Sequence, residues 1–439
     1  MGTIQVPDKW DIIPLHTSDR GTFKSCRRRW YWSSPAQCNL IPKTSVYGIY
    51  PPFWFGDGIH YALQHFYNPL LKSDPETAFD TWYNLQWNGG IITPDELTQF
   101  ADRFPVLRKD GRYDVPGLAD ILPDPDPDEF EGFHQLGLGM MRFYKEFAEH
   151  EDDFTVITSE HTFSVPVLDP TGAPLYMIDT RTMLEGWEPD LTLENAFGPL
   201  MREDPQMIPM LNADGSRRFS IPIEKQVHAR GRMDLIVQGN STGKYVLIDH
   251  KTVGHALTED YFRHVDLDEQ ITTYIWAAEM EAKLYDLPYK DISGIIYQAL
   301  RKAYPRPPTL LKSGTPSLNR ATESTTAKLF EKTINELGLK PLFDADVKMQ
   351  SYYTYLVEMG DKQYVWREPV IRNAAQKENG ALRIYLEALD MCGSPRIYPN
   401  PTKDFSCLNC KFRQPCVALE AGYDYEAMIA DNYQANYDR

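Results

Sequence analysis

Residues 231–252 read "GRMDLIVQGNSTGKYVLIDHKT": two apolar runs around a turn, with Asp234, Asp249 and Lys251 in or beside them. Burying charge in a strand is costly, so two acids and a lysine at these positions call for a reason. Gly239, Asn240 and Gly243 mark the turn. With the fold-back centred near Ser241, Asp234 falls opposite residue 248, within one residue of Asp249. Side chains alternate along a strand, so Asp249 and Lys251 share a face and His250 points the other way. Two carboxylates and an ammonium thus converge at a strand end. Hard divalent cations such as Mg²⁺ favour such oxygens. The ion polarises a phosphate and lowers the pKa of a bound water. A neighbouring lysine orients that water and offsets charge in the transition state. A plain Asp249–Lys251 ion pair beside a turn-associated Asp234 fits the same spacing.

The chain around this stretch has 439 residues, 42% hydrophobic and 13% aromatic. That suffices for one large domain with insertions, or two or three ordinary ones. No run of roughly 18 apolar residues suggests a membrane span. The opening "MGTIQVPDKWDIIPLH" lacks the basic start and apolar centre of a secretory signal, so the expected location is the cytoplasm. The net charge of −17 argues against coating nucleic acid by bulk charge. It leaves room for a local basic groove and bound cations. Six cysteines are too sparse for a disulfide scaffold, and their clustering points instead to metal.

Hydrophobic spacing predicts helices over 18–32 (N-capped by Ser18 or Asp19), 54–67, 76–87, 94–104 and 129–149. Strands are expected over 154–167, 222–238, 244–251, 292–300 and 362–371, with helices at 266–285, 323–337 and 373–391. Residues 168–220 and 303–345 look like insertions. The order implies one α/β core with a helical region packed beside it. The expected division is a helical region over 1–150, a core over 151–300, and an insertion, last core elements and Cys-bearing tail over 301–439.

These residues resemble the RecB-like branch of the PD-(D/E)XK nuclease superfamily. That branch carries a GxxD strand, a (D/E)xK strand and a QxxxY helix. Here they read "GRMD" (231–234), "DHK" (249–251) and "QITTY" (270–274), in that order. An upstream helix with Gly58 and His60, and the start "SDRGTFKSCRRRWYW" (18–32), fit the same pattern. The resemblance implies a restriction-endonuclease-like fold, a mixed central sheet flanked by helices. It implies Asp234, Asp249, His60 and the His250 carbonyl as ligands of Mg²⁺ or Mn²⁺, and Lys251 as the catalytic lysine. Gln270 and Tyr274 share a helix face, which in the family lies near DNA and the active site. Glu160 matches an acid found at a similar place in some relatives.

"CLNCKFRQPC" spaces Cys407, Cys410 and Cys416 as C-x2-C-x5-C, and Cys26 lies far upstream. One cysteine before the core and three after it resemble the iron–sulfur RecB-like nucleases, among them AddB-type subunits and CRISPR-associated exonucleases. The resemblance implies a [4Fe–4S] cluster on four thiolates. Such a cluster would staple the chain ends, as a crosslink closing a long loop does. Zinc takes the same ligands. Cys38 and Cys392 fit no motif and read as ordinary small thiols.

Basic residues gather in two places. Arg27, Arg28 and Arg29 precede Trp30, Tyr31 and Trp32, either to meet nucleic acid or to pair with nearby acids. Arg301, Lys302, Arg306 and Lys312 surround Tyr304 after an expected core strand, and are the better candidates for phosphate contacts. No G-x-x-x-x-G-K-[ST] phosphate loop is present, so ATP-driven unwinding needs a helicase or recombinase partner. The expected function is a metal-dependent DNA exonuclease acting on ends or single strands in recombination, repair or DNA processing, in a bacterial or phage setting. The alternatives are a catalytically silent nucleic-acid-binding module and a structure- or sequence-specific endonuclease of the same fold.

Overall fold

A computed structural model of the chain describes residues 12–34, 37–42, 51–93, 106–121, 126–187, 208–211, 217–393, 397–399, 407–408 and 410–435. The first half runs β1 (Ile12–His16), α1 (Thr17–Ser25), α2 (Arg27–Ser33), β2 (Leu40–Pro42), α3 (Pro51–Tyr67), α4 (Pro75–Asn88), β3 (Gly89–Ile92), β4 (Val106–Leu107), β5 (Tyr113–Pro116), α5 (Leu118–Ile121) and α6 (Pro127–Glu151). Then come β6 (Phe154–Pro166), β7 (Tyr176–Trp187), β8 (Ile208–Leu211), β9 (Arg217–Gly239), β10 (Tyr245–Val253), α7 (Glu259–Phe262), α8 (Glu269–Leu284) and β11 (Ile292–Arg301). The chain closes with α9 (Ala327–Glu336), α10 (Lys340–Ala345), α11 (Val347–Met359), β12 (Val365–Val370), α12 (Ala374–Cys392), α13 (Arg413–Glu420), α14 (Tyr425–Asn432) and β13 (Tyr433–Ala435). The helix expected over 94–104 lies outside the described residues.

The decisive hairpin is β9–β10. Its register runs from Tyr245↔Gln238 to Ile248↔Leu235. Gly243 takes φ 67 in the turn, a conformation that costs other residues strain. One further step of this register sets Asp234 across from Asp249 itself, a residue closer than the spacing suggests. β10 runs parallel to β11, and β11 antiparallel to β12, giving the mixed order β9-β10-β11-β12. α8 makes the crossover that two parallel neighbours require.

Alternate residues feed two cores. Leu247, Ile236 and Ala299 join Ile271, Ile275, Ala278 and Ile384 under α8 and α12. Leu235, Ile248 and Leu300 join Phe55, Ile59, Leu63, Phe79 and Tyr144 under α3, α4 and α6. The sheet is thus buried on both faces, the restriction-endonuclease-like arrangement of a mixed sheet between helices.

Three elements differ from expectation. The helix over 18–32 is two helices, because Cys26 is extended (φ −162) and its Sγ accepts the Arg29 N–H, ending α1 and capping α2. The N-cap of α1 is His16, not Ser18 or Asp19. The 168–220 insertion extends the sheet: β7 and β8 pair along the first half of β9, a strand of 23 residues. The second insertion holds more than one helix. α9 and α11 close a small separate core around Phe330, Ile334, Met349, Tyr352 and Leu356. Among the described residues, no helix is long and apolar enough to cross a membrane.

Candidate active site

Three adjacent strands bring acids into one row. Ser159↔Leu235 and His161↔Met233 bracket Glu160 on β6 and Asp234 on β9, and Asp249 follows on β10. Glu160 has φ 49, left-handed backbone rarely held without glycine. Its neighbour His161 is anchored through Nε2 to Glu281 of α8 at 2.6 Å.

α3 delivers His60 to this row. Gly58 lets α3 lie directly on α4, since a Cβ there would sit 2.4 Å from the Trp82 ring. His60 Nδ1 stands 3.6 Å from Asp234 Oδ2 and 4.0 Å from Glu160 Oε1. One ligand atom from each of His60, Glu160 and Asp234 lies within 4.8 Å of the others. Asp249 is outside that tight group, and its carboxylate is engaged by Lys251, with Nζ 3.0 Å from Oδ1 and 2.8 Å from Oδ2. His250 contributes its backbone N–H, which donates to Asp234 Oδ2 at 2.7 Å.

The electrostatics follow from crowding. Burial, with Asp234 adding, pushes the Glu160 carboxyl up to about 7. Burial likewise pushes Asp249 up to about 6, against the pull of Lys251. Asp234 is held below the usual range: burial would raise it, but His60, His250, Lys251 and the donated N–H outweigh that. Lys251 is raised, because Asp249 and Asp234 overcome the desolvation that would lower it. One imidazole and two carboxylates in reach of one point, with a third carboxylate beside them, suit a divalent cation that relieves their mutual repulsion.

α8 closes the other side. Gln270 Nε2 donates to the Tyr274 hydroxyl at 2.7 Å. Burial and then Asp249 raise that phenol to about 12, so it stays protonated beside the acid.

Three neighbours escape a reading of motifs. Arg232 Nε lies 2.8 Å from Glu160 Oε2, Tyr297 stands opposite Asp249 in the β10–β11 register, and Asp57 shares the field of His60 and Arg232. Two of them had a signal in the spacing, Arg232 two residues before Asp234 and Asp57 three before His60, whereas Tyr297 is placed only by the strand register.

Residues 18–417 match the sequence model of the PD-(D/E)XK nuclease superfamily. The chain belongs to that superfamily. PD-(D/E)XK nucleases are phosphodiester hydrolases that use divalent metals, and nucleic acid is the substrate the family implies. None of the curated proteins compared matches the chain.

The other expected residues of this PD-(D/E)XK protein are placed as follows. Cys410 lies within electrostatic reach of Cys26 and Cys416, Arg28 donates to Cys416 Sγ at 3.3 Å, and the Cys410 N–H reaches the Cys407 carbonyl at 3.4 Å. Cys407 is exposed, and Cys38 packs in the same small cluster as Cys410 and Cys416. Arg27 pairs with Asp390 and Arg28 with Glu420, while Trp30 and Trp32 are buried. Two of the three arginines of that basic run are thus paired with nearby acids. In the second basic stretch, Arg301 ends β11, and Lys302 lies over the Phe55 ring at 5.4 Å. Tyr304 packs on Gly139 of α6, and Arg306 and Lys312 are exposed.

Proposed function

We propose that this protein is a metal-dependent DNA exonuclease that hydrolyses phosphodiester bonds at DNA ends or in single strands. The observation that carries the hydrolysis is the convergence of His60, Glu160 and Asp234 next to the Asp249–Lys251 pair. His60, Glu160 and Asp234 would hold Mg²⁺ or Mn²⁺, with Asp249 beside them. The ion supplies Lewis acidity to phosphate and a hydroxide-like water. Lys251 keeps its charge and offers the protons not used by Asp249 to a water or phosphate oxygen. Tyr274, held by Gln270, presents a hydroxyl on the same side. The choice of DNA and of end-directed cleavage is supported by the QxxxY helix and by the split cysteine set of the RecB-like branch. Cys26, Cys407, Cys410 and Cys416 are proposed to hold a [4Fe–4S] cluster. Arg306 and Lys312, exposed after β11, are proposed phosphate contacts.

End-labelled linear DNA, single- and double-stranded, is incubated beside closed circles with Mg²⁺ or Mn²⁺. The expected result is progressive shortening of linear strands with circles intact, lost in Asp249→Ala. Equal degradation by wild type and Asp249→Ala rejects the assignment. Circles cut at fixed positions replace the exonuclease with an endonuclease.

A further inference from the structure

On the opposite face of the sheet from Asp249 lies a row of polar side chains with no part in hydrolysis. His250, Gln298 and Arg367 face one another across β10, β11 and β12. His250 is 2% exposed and Gln298 0%. Arg367 Nε donates to Gln298 Oε1 at 2.6 Å. A guanidinium only donates, so the amide oxygen must face Arg367 and the NH₂ must face inward. That NH₂ reaches both the Tyr144 hydroxyl and His250 Nδ1 at 2.8 Å. His250 Nδ1 therefore accepts, and the neutral ring carries its proton on Nε2, which has no partner among the described residues.

The outer end is equally fixed. Arg367 donates to Asp152 Oδ1 at 2.5 Å, and the Tyr67 hydroxyl donates to Asp152 Oδ2 at 2.7 Å and shares a 2.6 Å hydrogen bond with Tyr144. Burying this much polarity is costly unless it is paired, and apolar side chains would fill such a space as well or better. What the row does hold is a backbone: the His250 N–H whose acceptor is Asp234.

We propose that Gln298, oriented by Arg367, is a positioning residue for the metal site. It locks the His250 ring, the ring fixes the strand at that residue, and the strand's N–H aims Asp234 at His60 and Glu160. The inference rests on the divalent-cation reading of those three residues.

The test titrates Mn²⁺ by calorimetry into full-length protein freed of divalent cations with its four-cysteine site left loaded, and records melting temperatures beside it. Gln298→Leu is expected to weaken Mn²⁺ binding by about 10-fold or more, as loss of an outer-sphere partner does. Gln298→Glu recovers most of the affinity, because its carboxylate accepts from Arg367 and from the other tautomer of His250. Ile334→Ala, in the separate α9–α11 core, lowers the melting temperature and leaves Mn²⁺ affinity unchanged. Should Gln298→Leu not fold, Arg367→Lys keeps the charge beside Asp152, loses the Nε donor, and carries the same expectation.

Wild-type affinity in Gln298→Leu overturns the proposal. So does a Gln298→Glu variant no better than Gln298→Leu, or an equal loss in Ile334→Ala. If wild type binds Mn²⁺ and Asp234→Asn does not, the metal reading stands and the Gln298 variants alone decide. A wild type that binds no Mn²⁺ overturns both.

Discussion

Glu160 sits in left-handed backbone, clamped by Arg232 and followed by the His161–Glu281 pair. Strain of this kind costs on the order of 1–3 kcal/mol and persists only where the surroundings impose it. Here it turns a carboxylate toward His60 and Asp234. Residues at the site then separate by role. Asp234→Asn removes the charge and one oxygen from the tight group, leaving a single amide oxygen to serve both the ion and the His250 N–H. Cleavage is expected to fall about 1,000-fold, equivalent to ~4 kcal/mol of transition-state stabilisation, with Mn²⁺ binding lost in calorimetry. Lys251→Met leaves all four candidate ligand side chains in place. Mn²⁺ binding should therefore persist while kcat drops by roughly 100–1,000-fold, the scale of one removed electrostatic donor. A parallel loss of metal binding in Lys251→Met would return that residue to a structural ion pair.

Among the elements, α3 decides whether His60 arrives. Gly58 has the Trp82 ring where a Cβ would go, whereas Gly21 in α1 has open space around its position. Gly58→Ala is expected to cost about 1–3 kcal/mol by overpacking, read as a lower denaturant midpoint, and to reduce activity by shifting His60. Gly21→Ala should be neutral or stabilising by up to ~1 kcal/mol through helix propensity. The sequence patterns that revealed most were those with local causes. The β9–β10 hairpin, α8 and β11 are legible because apolar periodicity and a glycine-marked turn dictate them. The grouping of Asp234, Asp249 and Lys251 follows from the position of the turn together with strand alternation. The break at Cys26 is not legible, because a thiol acting as a cap leaves no periodic trace. The pairing of β7 and β8 along β9 depends on contacts between distant segments, which composition cannot reveal. Glu160 was visible as a charged residue in a strand. Its aim was not, since backbone strain is imposed by neighbours and not encoded in residue type.

At the scale of the molecule, an early segment and the last described strand meet. β2 pairs with β13, and Trp32, Phe412 and Tyr433 bury one another there. From that knot, α1 reaches α8: Arg20, itself 5% exposed, donates to Thr273 at 2.5 Å and pairs with Glu387. Thr273 precedes Tyr274, so whatever holds Cys26 also steadies the helix face beside Asp249. A cluster on Cys26, Cys407, Cys410 and Cys416 would close a loop spanning nearly the whole chain. A crosslink of that reach contributes about 6 kcal/mol in the chain-entropy account. Protein purified without oxygen should be brown, and Cys410→Ser should be pale. The same variant should melt at a lower temperature and release the tail to protease sooner. Its remaining nuclease activity should fade on warming before that of wild type, because α8 loosens with α1. A colourless, zinc-rich wild type replaces the iron–sulfur cluster with zinc and keeps the staple. Unchanged melting and protease resistance in Cys410→Ser would refute the staple itself, whatever the metal.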